Sequence, residues 1–359
     1  MSDPRVIVCA GGGGVGKTTT SAALALALAA RGERTLLVTI DPARRLAGAL
    51  GVPVTDALSA VAHPRAQGRL WALMPDPRRS MGTFIDDLFD EEPEAKQRVL
   101  ANKLYQGLAD AAAGVHELVA MNLVARESAR GRFDAVVIDT APSRHAIDFV
   151  TYPGRLAALL GGRSVTWLAG LAQRADAAPE VERPRAVGRV EALLARVTGP
   201  HLVRDTAALF GDLALVRERF VSLTRYASSL LLGEGVAYAL VAAPTAAARD
   251  DVRYLAARLD RLGRTPRALI LNRADAVAAP WSVALRQGAG VSAALLDALD
   301  ALEAERVTRS SAADALSASL RQCLPRTPQI RLPQVESSSP AAIVDALSVA
   351  LAPHLARLA

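Results

Sequence analysis

The sequence predicts an α/β fold, a doubly wound and mostly parallel sheet with an inserted α-helical subdomain. Three observations support this. Short continuous apolar runs recur along the chain, each ending in glycine or a turn-forming polar or proline residue; an alanine- and leucine-rich helix follows the first; long helical stretches separate the later ones. Continuous apolar runs of this kind are buried on both faces, as parallel strands between layers of helix are.

Val6 to Ala10 is the first run and leads into glycines. Thr18 to Ala30 reads as a helix closed by Arg31-Gly32, and Thr35 to Ile40 is a second, β-branched run ending at Asp41-Pro42. This is a strand-loop-helix-strand unit, the building block of a doubly wound sheet. Ala135 to Ile138 ends at Asp139, Tyr238 to Ala242 at Pro244, and Ala268 to Leu271 at Asn272. Ligands of open α/β sheets bind beyond the carboxyl ends of the strands, so these punctuating residues are expected to converge on one crevice. Thr83 to Arg130 and Tyr152 to Leu232 read mainly as helix, with Asp176 to Arg189 as a mobile loop rich in proline and charge. Leu209, Leu213, Val216, Phe220, Leu223, Ala227 and Leu230 are spaced to line one helix face. That face either packs against neighbouring helices or lines a groove for an apolar partner. The nucleotide-binding core is expected at residues 1–75, 131–150 and 236–359, and the helical subdomain at 76–130 and 151–235.

The chain has 359 residues, 51% of them hydrophobic and 22% charged, enough to bury a sizeable core. Its formal charge of +6 is carried almost wholly by arginine, since Lys17, Lys96 and Lys103 are the only lysines among 42 basic residues. No block of five or six basic residues occurs, so the charge reads as compositional bias and no nucleic-acid partner is expected. Cys9 and Cys323 are too few for a disulfide framework or a Cys-x-x-Cys metal site, and no zinc is expected. The N-terminus lacks a signal-peptide pattern, and no uninterrupted apolar run reaches the length of a membrane-spanning helix. A cytoplasmic protein without a transmembrane segment is expected. Pro340 to Ala359 is apolar and helix-like, and reads as core packing.

Gly11-Gly12-Gly13-Gly14-Val15-Gly16-Lys17-Thr18 satisfies G-x-x-x-x-G-K-T between a predicted strand and a predicted helix. Such a P-loop turns backbone N–H groups toward phosphates and adds the positive end of a helix dipole. Gly13, Gly14, Val15, Gly16, Lys17, Thr18 and Thr19 are therefore the expected nucleotide-binding residues, with Lys17 on the β- and γ-phosphates and the Thr18 hydroxyl on Mg2+. Asp139, ending an apolar strand, is the expected second magnesium residue, probing the ion through water. Asp41 ends the second strand and could activate the attacking water, or cap the helix that follows. The fold class is thus an α/β P-loop NTPase core, with ATP and Mg2+ as ligands.

Four segments resemble the arsenite-pump ATPases and the related targeting ATPases that deliver tail-anchored membrane proteins, in a wording most similar to their bacterial branch. They are Gly11 to Thr19, Thr39-Ile40-Asp41-Pro42-Ala43, Asp139-Thr140-Ala141-Pro142-Ser143-Arg144-His145, and the Asn272 strand end. The resemblance spans nearly the whole chain and is most specific at the second switch, which reads D-T-A-P-T-G-H in the family. It implies that Asp41 and Lys17 are catalytic and that Asp139 to Pro142 sense magnesium. By the same likeness Asn272 meets the adenine edge, and the loop around Pro333 and Gln334, after the last strand, completes the base pocket. It also implies a dimer.

The chain departs from that family at named positions. The family loop reads K-G-G-V-G-K-T, with a first lysine that crosses to the partner's nucleotide; Gly12 stands there. Arg44-Arg45 and Arg144 replace other switch residues. Neither the cysteine cluster of the arsenite pumps nor a methionine-rich client groove is present, Met74, Met81 and Met121 being the only internal methionines. The leading expectation is a Mg-dependent ATPase acting as a dimeric switch, coupling ATP binding and hydrolysis to a protein client or partner, membrane-protein targeting included. The alternative is a weakly hydrolysing regulatory subunit in a heterodimer with a paralogous ATPase. Arsenite-pump and partitioning ATPases fit less well.

Overall fold

The computed structural model describes residues 3–41, 45–103, 105–106, 115–141, 147, 200–245, 247–274 and 292–358. Pro42 to Arg44, Pro142 to His145 and the segment Asp176 to Arg189, singled out above, lie outside the described residues. The chain divides into two compact units. The first comprises Met1–Met74, Glu127–Ile147 and Leu232–Ala359, and the second Pro75–Arg126 and Asp148–Leu231.

The first unit is built on an eight-stranded sheet: β1 (Arg5–Gly11), β2 (Thr35–Thr39), β3 (Ser59–Ala60), β4 (Leu70–Leu73), β5 (Ala135–Asp139), β6 (Val236–Ala242), β7 (Ala268–Leu271) and β8 (Gln329–Arg331). Their order is β3-β4-β2-β5-β1-β6-β7-β8, and every pair is parallel except β3 with β4. The fold is therefore the mostly parallel α/β sheet expected of a P-loop core. The chain leaves β1 toward β2 on one side and later fills β6, β7 and β8 on the other, so the sheet's switch point lies at β1.

Burial explains the apolar runs. Ile7 and Cys9 join the core beneath the helix α1 (Lys17–Ala30), while Val6 and Val8 point to the opposite face and are equally buried. An alternating pattern would have left one face wet; a continuous run requires cover on both. The consecutive residues Ala22 to Ala29 are all buried, because α1 is enclosed by the sheet, the short helix α2 (Arg45–Leu50) and the C-terminal helix. Alanine at five of those eight positions lets backbones approach where larger side chains would not fit.

In the second unit, helices α3 (Pro77–Leu88) and α4 (Pro93–Ala101) are followed by α5 (Val115–Ala129), which runs into the first unit. The apolar stripe from Leu209 to Leu230 spans two helices, α6 (Pro200–Leu215) and α7 (Arg217–Leu232), separated by a one-residue turn at Val216. The stripe continues across the turn, which is why its periodicity reads as one helix. Leu209, Val216 and Phe220 are buried with Met81, Phe84, Leu88 and Val99, and Leu213 and Leu223 pack on the same core. Phe84 and Phe220 meet edge to face at 6.0 Å. Of the two readings of that face, internal packing is the one observed for these residues.

The first unit is completed by α8 (Ala248–Arg261), α9 (Ala293–Cys323) and α10 (Pro340–Leu351). The segment Pro340–Leu358 is apolar and long enough to cross a membrane by length and composition alone. Its Val344, Leu347, Leu351, Leu355 and Leu358 are buried in the core that contains α1.

Candidate functional site

The loop between β1 and α1 sits at the sheet's switch point. Gly16, at the N-terminus of α1, holds φ 82 and ψ 25, a left-handed conformation that favours glycine. A Cβ there would also lie 2.2 Å from Asn272 Nδ2. No side chain caps this helix end, so its first N–H groups are left for an anion. A cavity of about 410 Å³ opens at this point, lined by Gly12, Gly14, Gly16, Lys17, Thr18 and Thr19, with Arg45 of α2 and Arg273 beyond β7 at its edge. Gly13 is exposed and Val15 is buried beneath the loop.

Lys17 is 4% exposed and its Nζ lies 3.6 Å from Asp139 Oδ1. Asp139 ends β5, in register with Cys9 on β1 and Thr39 on β2. It is fully buried, and burial pushes its carboxyl above the ordinary 3.8 while Lys17 and the Thr18 and Thr39 hydroxyls pull it down; the charge of Asp41 adds to the rise. Ser21 Oγ stands 3.3 Å from Asp139 Oδ1. The Thr39 hydroxyl donates to Asp139 Oδ2 at 3.1 Å and accepts the Asp41 N–H at 3.2 Å. One hydroxyl therefore joins the ends of β2 and β5. A second link runs from Ile40 N–H to the Asp139 carbonyl at 2.9 Å. Asp41 is 4% exposed, with Arg45 Nη1 3.8 Å from its Oδ2. Cys9, beside Asp139, is a neutral core thiol: burial pushes it up to about 12.

A raised carboxyl binds its proton more tightly in the folded than in the unfolded chain. The ligand-free protein therefore gains stability from Asp139 as pH falls through the raised value toward 3.8, and loses that contribution at higher pH. Urea unfolding of the wild type minus that of Asp139→Asn is expected to rise on acidification in that window, with a slope of at most about 1.4 kcal/mol per pH unit. A pH-independent difference would show that burial does not perturb this carboxyl.

On the other side of the loop Asn272, 5% exposed, donates from Nδ2 to the Val15 carbonyl at 2.9 Å. Asn272, Pro333 and Gln334 line a second cavity of about 110 Å³ with Gly16, Thr19 and Arg273. The residues named for the base pocket thus share one cavity next to the loop, and Asn272 also braces the loop from below. Asn272→Ala is expected to lower stability by about 1–2 kcal/mol, by stranding a buried carbonyl, and to weaken nucleotide binding about tenfold. Denaturation and equilibrium binding on the same sample check both effects.

Three features escaped sequence reasoning. Ser21 lies one helical turn beyond Lys17, and that i, i+4 spacing was its available signal. Thr39 precedes Asp41 by two residues, so both sit at the same strand end. The third is Asp251 of α8. A Cβ on Gly12 would come within 2.3 Å of Asp251 Oδ2. The place where the resemblance puts a lysine is thus one where a carboxylate packs on bare backbone.

A family model described as an anion-transporting ATPase matches residues 4–186, just over half of the chain. The chain belongs to this family. Similar proteins are ATPase GET3 of Rhodotorula glutinis, 34% identical over 136 residues, covering 38% of this chain and 37% of the relative. ATPase get3 of Schizosaccharomyces japonicus is 31% identical over 118 residues, 33% of this chain and 34% of the relative. ATPase GET3 of Malassezia globosa is 36% identical over 150 residues, 42% and 43%. The chain therefore spans between about a third and just over two fifths of the length of these relatives. Membership agrees with the resemblance drawn from the loop and switch residues. In this anion-transporting ATPase family member the matched region contains the loop, both strand-end aspartates and Thr39.

Proposed function

We propose that the chain is a magnesium-dependent ATPase that works as a cytoplasmic, dimeric nucleotide switch and couples hydrolysis to a protein client, as in membrane-protein targeting. The observation that carries this is the linkage of Lys17, which lines the 410 Å³ cavity under an uncapped helix N-terminus, to the buried strand-end cluster of Asp139, Thr39 and Asp41. The printed names of the relatives, each an ATPase, support the same reaction.

The donor set fits magnesium. Thr18 supplies a hydroxyl and Asp139 a carboxylate held by Thr39, hard oxygen ligands of the kind Mg2+ prefers alongside phosphate and water. Once bound, the ion would draw off charge developing on the phosphate oxygens. Lys17 exchanges its Asp139 partner for the β- and γ-phosphates, and the N–H groups of Gly14, Gly16 and Lys17 hold those phosphates in place. Asp41 orients the attacking water and takes its proton. Asn272, Pro333 and Gln334 seat the base.

A second reading, a weakly hydrolysing regulatory subunit paired with a paralogous ATPase, is favoured by one feature: Gly12 carries no cation and is covered by Asp251. Charges supplied across an interface in phosphoryl transfer are worth on the order of 10³–10⁵ in rate. Magnesium-dependent ATP turnover measured over a range of protein concentrations separates the two. Turnover per subunit that rises with concentration supports a self-sufficient dimer; nucleotide binding without turnover supports the regulatory subunit; absence of both refutes the nucleotide reading.

A further inference from the structure

We infer that Arg273 is a nucleotide-binding residue that grips the phosphate next to the ribose; the inference rests on the nucleotide reading above. Three observations meet on this residue. The first is position. The phosphate cavity of about 410 Å³ and the base cavity of about 110 Å³ share Gly16, Thr19 and Arg273 in their linings, and Arg273 alone of the three is charged. A ligand with its terminal phosphates at Lys17 and its base beside Asn272 has to pass Arg273 with the segment between them, an anionic phosphate followed by a sugar.

The second is conformation. Arg273 holds φ 56, one of two described non-glycine residues with positive φ. An arginine adopts this left-handed conformation at a cost, and it persists only where neighbours impose it. Here they do: Asn272 N–H donates to the Ala242 carbonyl and Ala274 N–H to the Leu332 carbonyl, both at 2.8 Å. The turn is thus pinned on either side of Arg273, to β6 and to the residue after β8. Asn272 and Ala274 point inward and are buried, while the left-handed residue between them is exposed at the cavity edge.

The third is its electrostatic state. Arg273 forms no ion pair with any described carboxylate, whereas many of the chain's arginines do, Arg34 with Asp134 and Arg98 with Asp212 among them. A planar guanidinium on a residue that lines both cavities suits a phosphate oxygen and a neighbouring hydroxyl together, because its N–H groups fan out in a fixed fork.

The test measures equilibrium binding of ATP, ADP and inorganic triphosphate to the full chain carrying Arg273→Gln or Arg273→Gly, with wild type and Lys17→Ala as references. A phosphate next to the ribose is common to ATP and ADP and has no counterpart tied to a sugar in triphosphate. Both variants are expected to weaken ATP and ADP by the same factor, roughly ten- to a hundredfold for a lost charge-assisted hydrogen bond, and to bind triphosphate as wild type does. Glycine relieves the positive φ, so Arg273→Gly is expected to raise the melting temperature while losing affinity, an outcome that damage to the fold would not produce. ATP and ADP affinities within twofold of wild type, in variants whose Lys17→Ala counterpart has lost binding, would overturn the inference and leave the nucleotide site standing. A loss confined to ATP, or shared by triphosphate, would move Arg273 to the terminal phosphates and equally overturn it. No binding of any of the three by the wild type would remove the nucleotide reading and this inference together.

Discussion

Lys17→Ala is expected to abolish nucleotide binding at accessible concentrations. The Lys17 side chain lines the cavity and is 4% exposed, so its ammonium acts in a site where water screens poorly. Two charge-assisted hydrogen bonds to phosphate contribute about 3–6 kcal/mol, a loss of roughly 10²- to 10⁴-fold in affinity. The same change removes the cation 3.6 Å from Asp139, and leaving a buried carboxylate without its partner costs about 3–5 kcal/mol of stability. Loss of binding could then be confused with loss of folding. The double variant Lys17→Ala/Asp139→Asn removes both charges and separates them: it is expected to unfold near the wild-type midpoint and still fail to bind. Wild-type affinity in either variant would remove the site assignment.

Asp41→Asn carries the second large effect. Asparagine keeps the size of the side chain and the backbone N–H that donates to Thr39, and withdraws the capacity to take a proton. Turnover is expected to fall by about 10²–10⁴, the usual share of a general base, while ATP affinity stays within a few-fold of wild type. A single-turnover assay with prebound nucleotide reads this directly. If the variant hydrolyses as fast as wild type, Asp41 only closes β2 and the water is activated elsewhere.

The sheet was legible in the sequence because its central strands are buried on both faces. Val6 to Ala10, Ala135 to Ile138 and Ala268 to Leu271 carry no polar residue and lie almost wholly out of water. The edge was harder: β3 is two residues long and β4, Leu70–Leu73, is four residues long with no β-branched residue. The loop was legible from spacing alone, since Gly16-Lys17-Thr18 is a local pattern. What remained hidden was whatever depends on register or long sequence separation. Thr39 and Asp139 are paired across 100 residues, Asn272 reaches Val15 across 257, and Arg273 owes its interest to a backbone angle. The single stripe from Leu209 to Leu230 hid a turn, because helical spacing carries over a one-residue break.

The carboxylate lying on Gly12 ties two positions that are far apart in the chain. The Cβ of a lysine put at residue 12 would meet the Asp251 carboxylate, an anion next to the incoming cation. A lysine there thus involves two places, the loop and the first turn of α8, where the Asp251 side chain has to shift. A side chain at residue 12 bears directly on the one at residue 251, so the identities at 12 and 251 are expected to covary as a pair among this chain's relatives.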